Sequence, residues 1–189
     1  MNKHIIRLLI VVFVISASAP AFAKKGWRLL AGTEEDFTFQ PTASVVAGVL
    51  GSNDEVGDTG TAFGVEASFM CPLIQNPTNN LRQQLSVVQY ADGDNTLLTV
   101  EANLHYRIPV ANNLKLGVGP GFGFVRTDAK KVTTNMVAVQ GGASLHYTMD
   151  KFFVGAEARY QLTQRNNVGK GNENGADNWR ALVKFGYNL

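Results

Sequence analysis

The sequence predicts an all-β chain, an eight-stranded, antiparallel, up-and-down transmembrane β-barrel after a cleaved signal peptide. Three observations predict it. Apolar and polar residues alternate with period two in eight separate segments. The connections between those segments alternate between long polar loops and shorter turns. The two faces differ in bulk, one rich in Phe, Tyr, Trp, Leu and Val, the other in Gly with a few charges.

Residues 1–23 read as the signal peptide. Lys3, His4 and Arg7 form its positive start, Leu8 to Ile15 its apolar run, and Ala21-Phe22-Ala23 its small-x-small cleavage site. That run is far shorter than the roughly 20 residues a spanning helix needs. No Cys lies near the cleavage point, which argues against lipoprotein processing. Cleavage also removes the charge excess. The whole chain carries a formal +2, and without Lys3 and Arg7 its basic and acidic residues balance. A polybasic nucleic-acid surface is therefore not expected. A lone Cys71 excludes an intramolecular disulfide framework and every multi-cysteine zinc module. It reads as a buried thiol.

Residues 24–36 form an N-terminal periplasmic segment without periodicity, in which Trp27 and Leu29 are expected against the periplasmic rim. The barrel is expected over residues 37–189. Its first strand, weakly marked, is expected near Phe37 to Leu50. Next, Phe63, Val65, Ala67 and Phe69 alternate with Gly64, Glu66 and Ser68. A second weak strand, Leu81 to Tyr90, follows. From Leu98 to Ile108, Leu98, Val100, Ala102, Leu104, Tyr106 and Ile108 share one face, and Thr99, Glu101, Asn103, His105 and Arg107 share the other. A helix would spread these charges around its circumference, whereas a strand separates them. Leu114 to Phe124, Val137 to Tyr147, Phe152 to Leu162 and Trp179 to Leu189 repeat the pattern. The loops are placed at Gly51–Gly60, Ala91–Asn95, Arg126–Thr134 and Gln164–Asp177. The turns are placed at Pro72–Asn80, Pro109–Asn113 and Asp150-Lys151. Pro120, on the apolar face, implies a bulge or a local break in pairing.

A soluble, lipocalin-like barrel also alternates, but with its apolar face inward. Volume separates the two architectures. The interior of an eight-stranded barrel holds its own inward side chains or one small ligand, too little for so many bulky apolar groups. Gly117, Gly119, Gly121, Gly123, Gly142 and Gly155 suit a crowded lumen and would weaken strands on a solvated exterior. With the first strand running outward, Tyr106, Tyr147, Phe152 and Tyr187 fall near the periplasmic edge. Phe63, Phe124, Tyr160 and Trp179 fall near the outer edge. These are two aromatic girdles, as interfacial rings prefer.

The export signal, the eight alternating segments and the ending Val183-Lys184-Phe185-Gly186-Tyr187-Asn188-Leu189 resemble the small Gram-negative outer-membrane β-barrel proteins, the OmpA-, OmpX- and OmpW-like group. The likeness spans Phe37 to Leu189 in architecture and brings no diagnostic functional motif. It implies an outer-membrane location, lipid and lipopolysaccharide as surroundings, and recognition of the last strand by the barrel-assembly machinery. Tyr187 and Leu189 match that assembly signal, with Leu in place of the family's usual terminal Phe or Trp.

The inward set holds Glu66, Glu101 and Glu157 against Arg82, Arg107, Lys115, Arg159, Arg180 and Lys184, with His105 and His146. Buried charges are costly unless paired, so a lumen filled by an ion-pair network is expected, with a structural or surface-interaction role left to the loops. The alternative is a narrow, weakly anion-selective channel drawing on the excess of positive charge. A third reading comes from the resemblance, since some such barrels modify lipid A with Ser and His. Here Ser144-x-His146 is the close pair, it points into the lumen, and no acid stands near in sequence to orient the imidazole. No catalytic residue, cofactor site or metal site is therefore assigned; His105, His146 and Glu101 lack a chelating spacing. The G-x-G-x-G-x-G run at Gly117 to Gly123 misses the dinucleotide fingerprint. Asp54, Glu55 and Asp58, then Asp92 and Asp94, make two acidic loop tips. Arg126, Lys130, Lys131, Arg165 and Lys170 are expected on the other two tips, as contacts for lipopolysaccharide phosphates. Nothing demands more than a monomer.

Overall fold

A computed structural model describes residues 26–52, 59–93, 95–129, 132–167 and 173–189. The signal-peptide reading, the acidic residues Asp54, Glu55, Asp58 and Asp94, and the basic Lys130, Lys131 and Lys170 lie outside the described residues. The strands are β1 (Thr42–Ser52), β2 (Thr59–Met70), β3 (Leu81–Asp92), β4 (Asn95–Ala111), β5 (Leu114–Ala129), β6 (Val132–Met149), β7 (Phe152–Thr163) and β8 (Asn178–Asn188). Each pairs antiparallel with its neighbours in the chain, and β8 pairs with β1 to close the barrel. Both chain ends of the barrel, Pro41 and Leu189, meet at one end through a backbone hydrogen bond of 3.0 Å. This turn end also holds the connections at residues 71–80, Asn112-Asn113 and Asp150-Lys151. The other is the loop end.

In the six clearly alternating strands the facing is as the alternation predicts, and the two weakly marked strands follow the same rule. Val45, Phe63, Val65, Val87, Val100, Phe122, Phe124, Val137, Leu145, Val154, Tyr160, Val183 and Phe185 are all exposed outward, Phe124 at 70%. Glu66, Arg82, Glu101, His105, Glu157, Arg159, Arg180 and Lys184 are buried inside. Such an exterior suits hydrocarbon and not water.

Several boundaries differ from the sequence reading. β1 starts at Thr42, not Phe37. Pro41 has no N–H to donate and Gln40 sits at φ 44°, so the chain turns before pairing begins. Phe39 instead stacks on Phe69 with centroids 4.5 Å apart. The loops at Arg126–Thr134 and Ala91–Asn95 are mostly ladder. Asp128 pairs with Thr133 and Ala129 with Val132, and β3 and β4 join through Gly93 at φ 56°. Polar composition misled the reading here, because strands beyond the hydrocarbon need no apolar face. β4, β5 and β6 run 17, 16 and 18 residues, against about 9–11 for a bare crossing. Asn166–Asn167 and Glu173–Asn174 add a two-residue ladder above β7.

Pro120 gives a break and not a bulge. The β4–β5 register is the same on both sides, Asn103 with Gly121 and Tyr106 with Val118, but the two pairs between them are missing. Proline offers no N–H to that ladder. The register shift falls instead between Pro109 and Ala111, next to the turn.

Residues 26–36 form a clasp on the turn between β2 and β3. Arg28 pairs with Gln75 and Leu29 with Ile74 as a small antiparallel ladder. The backbone N–H groups of Leu30 and Gly32 donate to Leu73 and Pro72 at 2.7 and 2.8 Å. Arg28 bridges to Glu34 and Asn79, and Ala31 is fully buried. Leu29, expected on the rim, is 72% exposed, because its side chain points away from the ladder's covered face. Gln75 fixes the same turn, its amide donating to the carbonyls of Cys71 and Leu81 at 3.1 and 2.8 Å. Cys71 is buried and free.

Candidate functional site

The lumen divides into three zones. Toward the loop end an apolar cluster fills it, built from Val46, Leu50, Ala62, Val88, Tyr90, Leu97, Val125, Met136, Ala138, Ala176 and Leu182. The sequence reading missed this plug. Its signal is the apolar doublet: Val45-Val46, Val49-Leu50, Val87-Val88 and Leu97-Leu98 each place one residue outward and one inward.

The middle zone is a charge network. Arg180 on β8 grips both carboxylate oxygens of Glu101 on β4 in a bidentate pair. Thr99 donates to the same carboxylate at 2.9 Å, Asn103 at 3.2 Å and Ser86 at 3.3 Å. Lys184 bridges Glu66 and Glu157, the latter at 2.8 Å, and Arg159 Nε donates to Glu157 at 3.1 Å. Three carboxylates thus meet three cations, which satisfies the demand that buried charge be paired. An amide chain backs this cluster. Asn178 donates to Gln161 at 2.9 Å, Gln161 to Gln140 at 2.9 Å, and Gln140 to Asn103 at 2.6 Å.

The zone at the turn end departs from the expected single network. Arg82 is buried but donates only to neutral groups, the carbonyls of Gln40 and Ser68 at 2.9 Å and Ser68 Oγ at 3.0 Å. Arg107 is half-buried and Lys115 exposed. Among the described residues, none of the three has a carboxylate in ion-pair reach. His146, half-buried, stacks on Phe153 with centroids 4.2 Å apart. These four residues stand outside the network because the carboxylates all lie deeper in the barrel.

The Ser144–His146 pair does not form. Ser144 Oγ lies 3.2 Å from His105 Nδ1, while Arg159 Nη2 donates to His105 Nε2 at 2.8 Å. A guanidinium has no lone pair to offer, so Nε2 is the acceptor and Nδ1 carries the hydrogen. The imidazole therefore donates to the serine. A nucleophile needs the reverse polarity and an acid behind the base. Among the described residues no group of three or more His, Cys, Asp or Glu is placed to hold a metal ion, and His105, His146 and Glu101 do not converge.

On the outside, Phe63, Phe124, Tyr160 and Trp179 point outward in the half nearer the loop end, where Tyr160 and Trp179 are cross-strand partners. Tyr106, Tyr147, Phe152 and Tyr187 point outward nearer the turn end. There Phe152 meets Tyr187 edge-on at 5.3 Å and stacks with Phe185 at 5.9 Å. Leu189 is exposed at the end of the chain. Arg126, expected on a loop tip, sits instead within β5, paired with Leu98 and Asn135, because the ladder continues past the apolar stretch. It forms an ion pair of 3.5 Å with Asp128, and Arg165 is exposed after β7.

No protein-family model matches the chain, and no curated protein does. Solved structures do match. Neisserial surface protein A superposes with a TM-score of 0.58 at 15% identity, over 80% of this chain and 97% of that one. The N-terminal β-barrel domain of Pseudomonas aeruginosa OprF gives 0.52 at 18% identity, over 80% and 100%. Ail, the attachment invasion locus protein of Yersinia pestis, gives 0.52 at 11% identity, over 81% and 100%. With a closed barrel, an apolar exterior and an ionic interior already established, these matches identify the fold as that of the small outer-membrane β-barrel proteins.

Proposed function

We propose that the protein is an integral outer-membrane barrel, monomeric in lipid, whose closed lumen serves rigidity and whose role is structural or surface-interacting through its loops. The observation that carries this reading is the filled interior. The Glu101–Arg180 and Glu66–Lys184–Glu157 pairs and the apolar plug around Tyr90 and Leu97 occupy successive sections of the lumen. An eight-stranded barrel is just wide enough for such side chains. Planar-bilayer recording of the refolded protein tests it. Silence at applied voltage is expected; steady, anion-biased steps would establish the narrow channel instead.

Surface contact falls, in this reading, to basic residues toward the loop end. Replacing Arg126, Lys130, Lys131, Arg165 and Lys170 together by Gln is expected to weaken lipopolysaccharide retention about tenfold, since each cation contributes a charge-assisted contact. Heat-modifiable migration should stay as in the parent protein. Equal retention by both forms would remove these residues as the contact. The girdle residues and the Tyr187 and Leu189 ending fit, in this reading, the two lipid interfaces and the barrel-assembly machinery.

A further inference from the structure

The lumen's positive excess is not spread evenly. Glu66, Glu101 and Glu157 are taken up by Arg159, Arg180 and Lys184, which leaves Arg82, Arg107 and Lys115 together at the turn end. A cavity of about 20 Å³ lies there, lined by Arg82 and Arg107. Glu66 is its one acidic lining residue, already bonded to Lys184, and His105 is held neutral by Arg159. The volume is that of a single water-sized occupant. The two guanidiniums share only the carboxylate of Glu66, itself bonded to Lys184 and in ion-pair contact with neither. They repel each other in a site of reduced dielectric, and an anion between them relieves that repulsion.

We propose that the turn end of the lumen is a dead-ended site for one small inorganic anion, chloride or a single oxygen of an oxyanion, held between Arg82 and Arg107 with Lys115 at its mouth. The charge network deeper in the barrel stops the anion from passing through, so the site is a pocket open toward the periplasm. It is independent of the loops and of any contact they make.

Chloride-35 line widths of the full mature protein in non-ionic detergent micelles test this. Excess broadening that saturates with chloride and is displaced by inorganic phosphate is expected. Arg107→Gln should bring it down to the level of empty micelles. Its side chain has no hydrogen-bond partner among the described residues, so this variant is expected to fold. Lys115→Gln, an exposed change at the mouth, should weaken chloride binding several-fold, and Arg126→Gln should leave it intact. No saturable broadening in the parent protein, or equal broadening in Arg107→Gln, overturns the proposal. Equal loss in Arg126→Gln would mark a general surface-charge effect and overturn it too.

Discussion

Glu101→Ala is expected to destabilise the barrel by about 3–5 kcal/mol, the cost of stranding one member of a buried ion pair. Arg180 is 2% exposed and both its terminal nitrogens bond Glu101. The carboxylate's removal leaves a guanidinium in the lumen whose nearest remaining acid is Glu157, at 4.0 Å and already bonded to Lys184 and Arg159. Thr99, Asn103 and Ser86 lose their shared acceptor as well. The double variant Glu101→Leu with Arg180→Met should recover most of the loss, because replacing both partners by apolar groups removes the unpaired charge. Urea titration into lipid vesicles, followed by the emission of the lipid-facing Trp179, measures all three forms. A single variant within about 1 kcal/mol of the parent would mean that the pair contributes little.

Gly119→Ala should be the most damaging conservative change in the chain. A Cβ built on Gly119 would overlap the carbonyl oxygen of Leu104 across the β4–β5 ladder. The overlapped atom is backbone, so no rotamer change relieves it, and the strands must separate. This is the stretch where Pro120 already leaves two pairs out of the ladder. We expect loss of the folded, heat-modifiable band, or a cost of at least the 1–3 kcal/mol typical of overpacking. Gly141→Ala is the control. It is exposed, lies opposite Pro120 in the neighbouring ladder, and has open space where its methyl would go. Its effect should be within about 0.5 kcal/mol of zero or slightly stabilising, by restricting the unfolded chain. Equal behaviour of the two variants would show that close strand approach is not what Gly119 provides.

Period two was enough to read the facing of the six clearly alternating strands, because one shift of register would invert the whole exterior. The glycines of β5 were legible for the same reason. Three features were not. The apolar plug was hidden because doublets such as Leu97-Leu98 blur alternation, and nothing in the sequence says which half of a lumen is polar. The clasp was hidden because a two-residue ladder between Arg28-Leu29 and Ile74-Gln75 has no periodicity of its own. The His105–Ser144 contact was missed in favour of Ser144 and His146, which are neighbours in sequence. Across the barrel, proximity is set by register and lumen width, and these bring β4 close to β6 over the glycine at position 117, which has no side chain to intervene.

The clasp also bears on the order in which the cylinder zips shut. Seven ladders join strands that follow one another in the chain, whereas the β8–β1 seam joins segments from opposite ends of it. Closing a loop that long costs about 2 kcal/mol more chain entropy than closing a ten-residue hairpin. By tying the run-up to β1 onto the β2–β3 turn, residues 26–36 hold the first edge in place while its distant mate is still being threaded. The final docking then meets a partner already aligned.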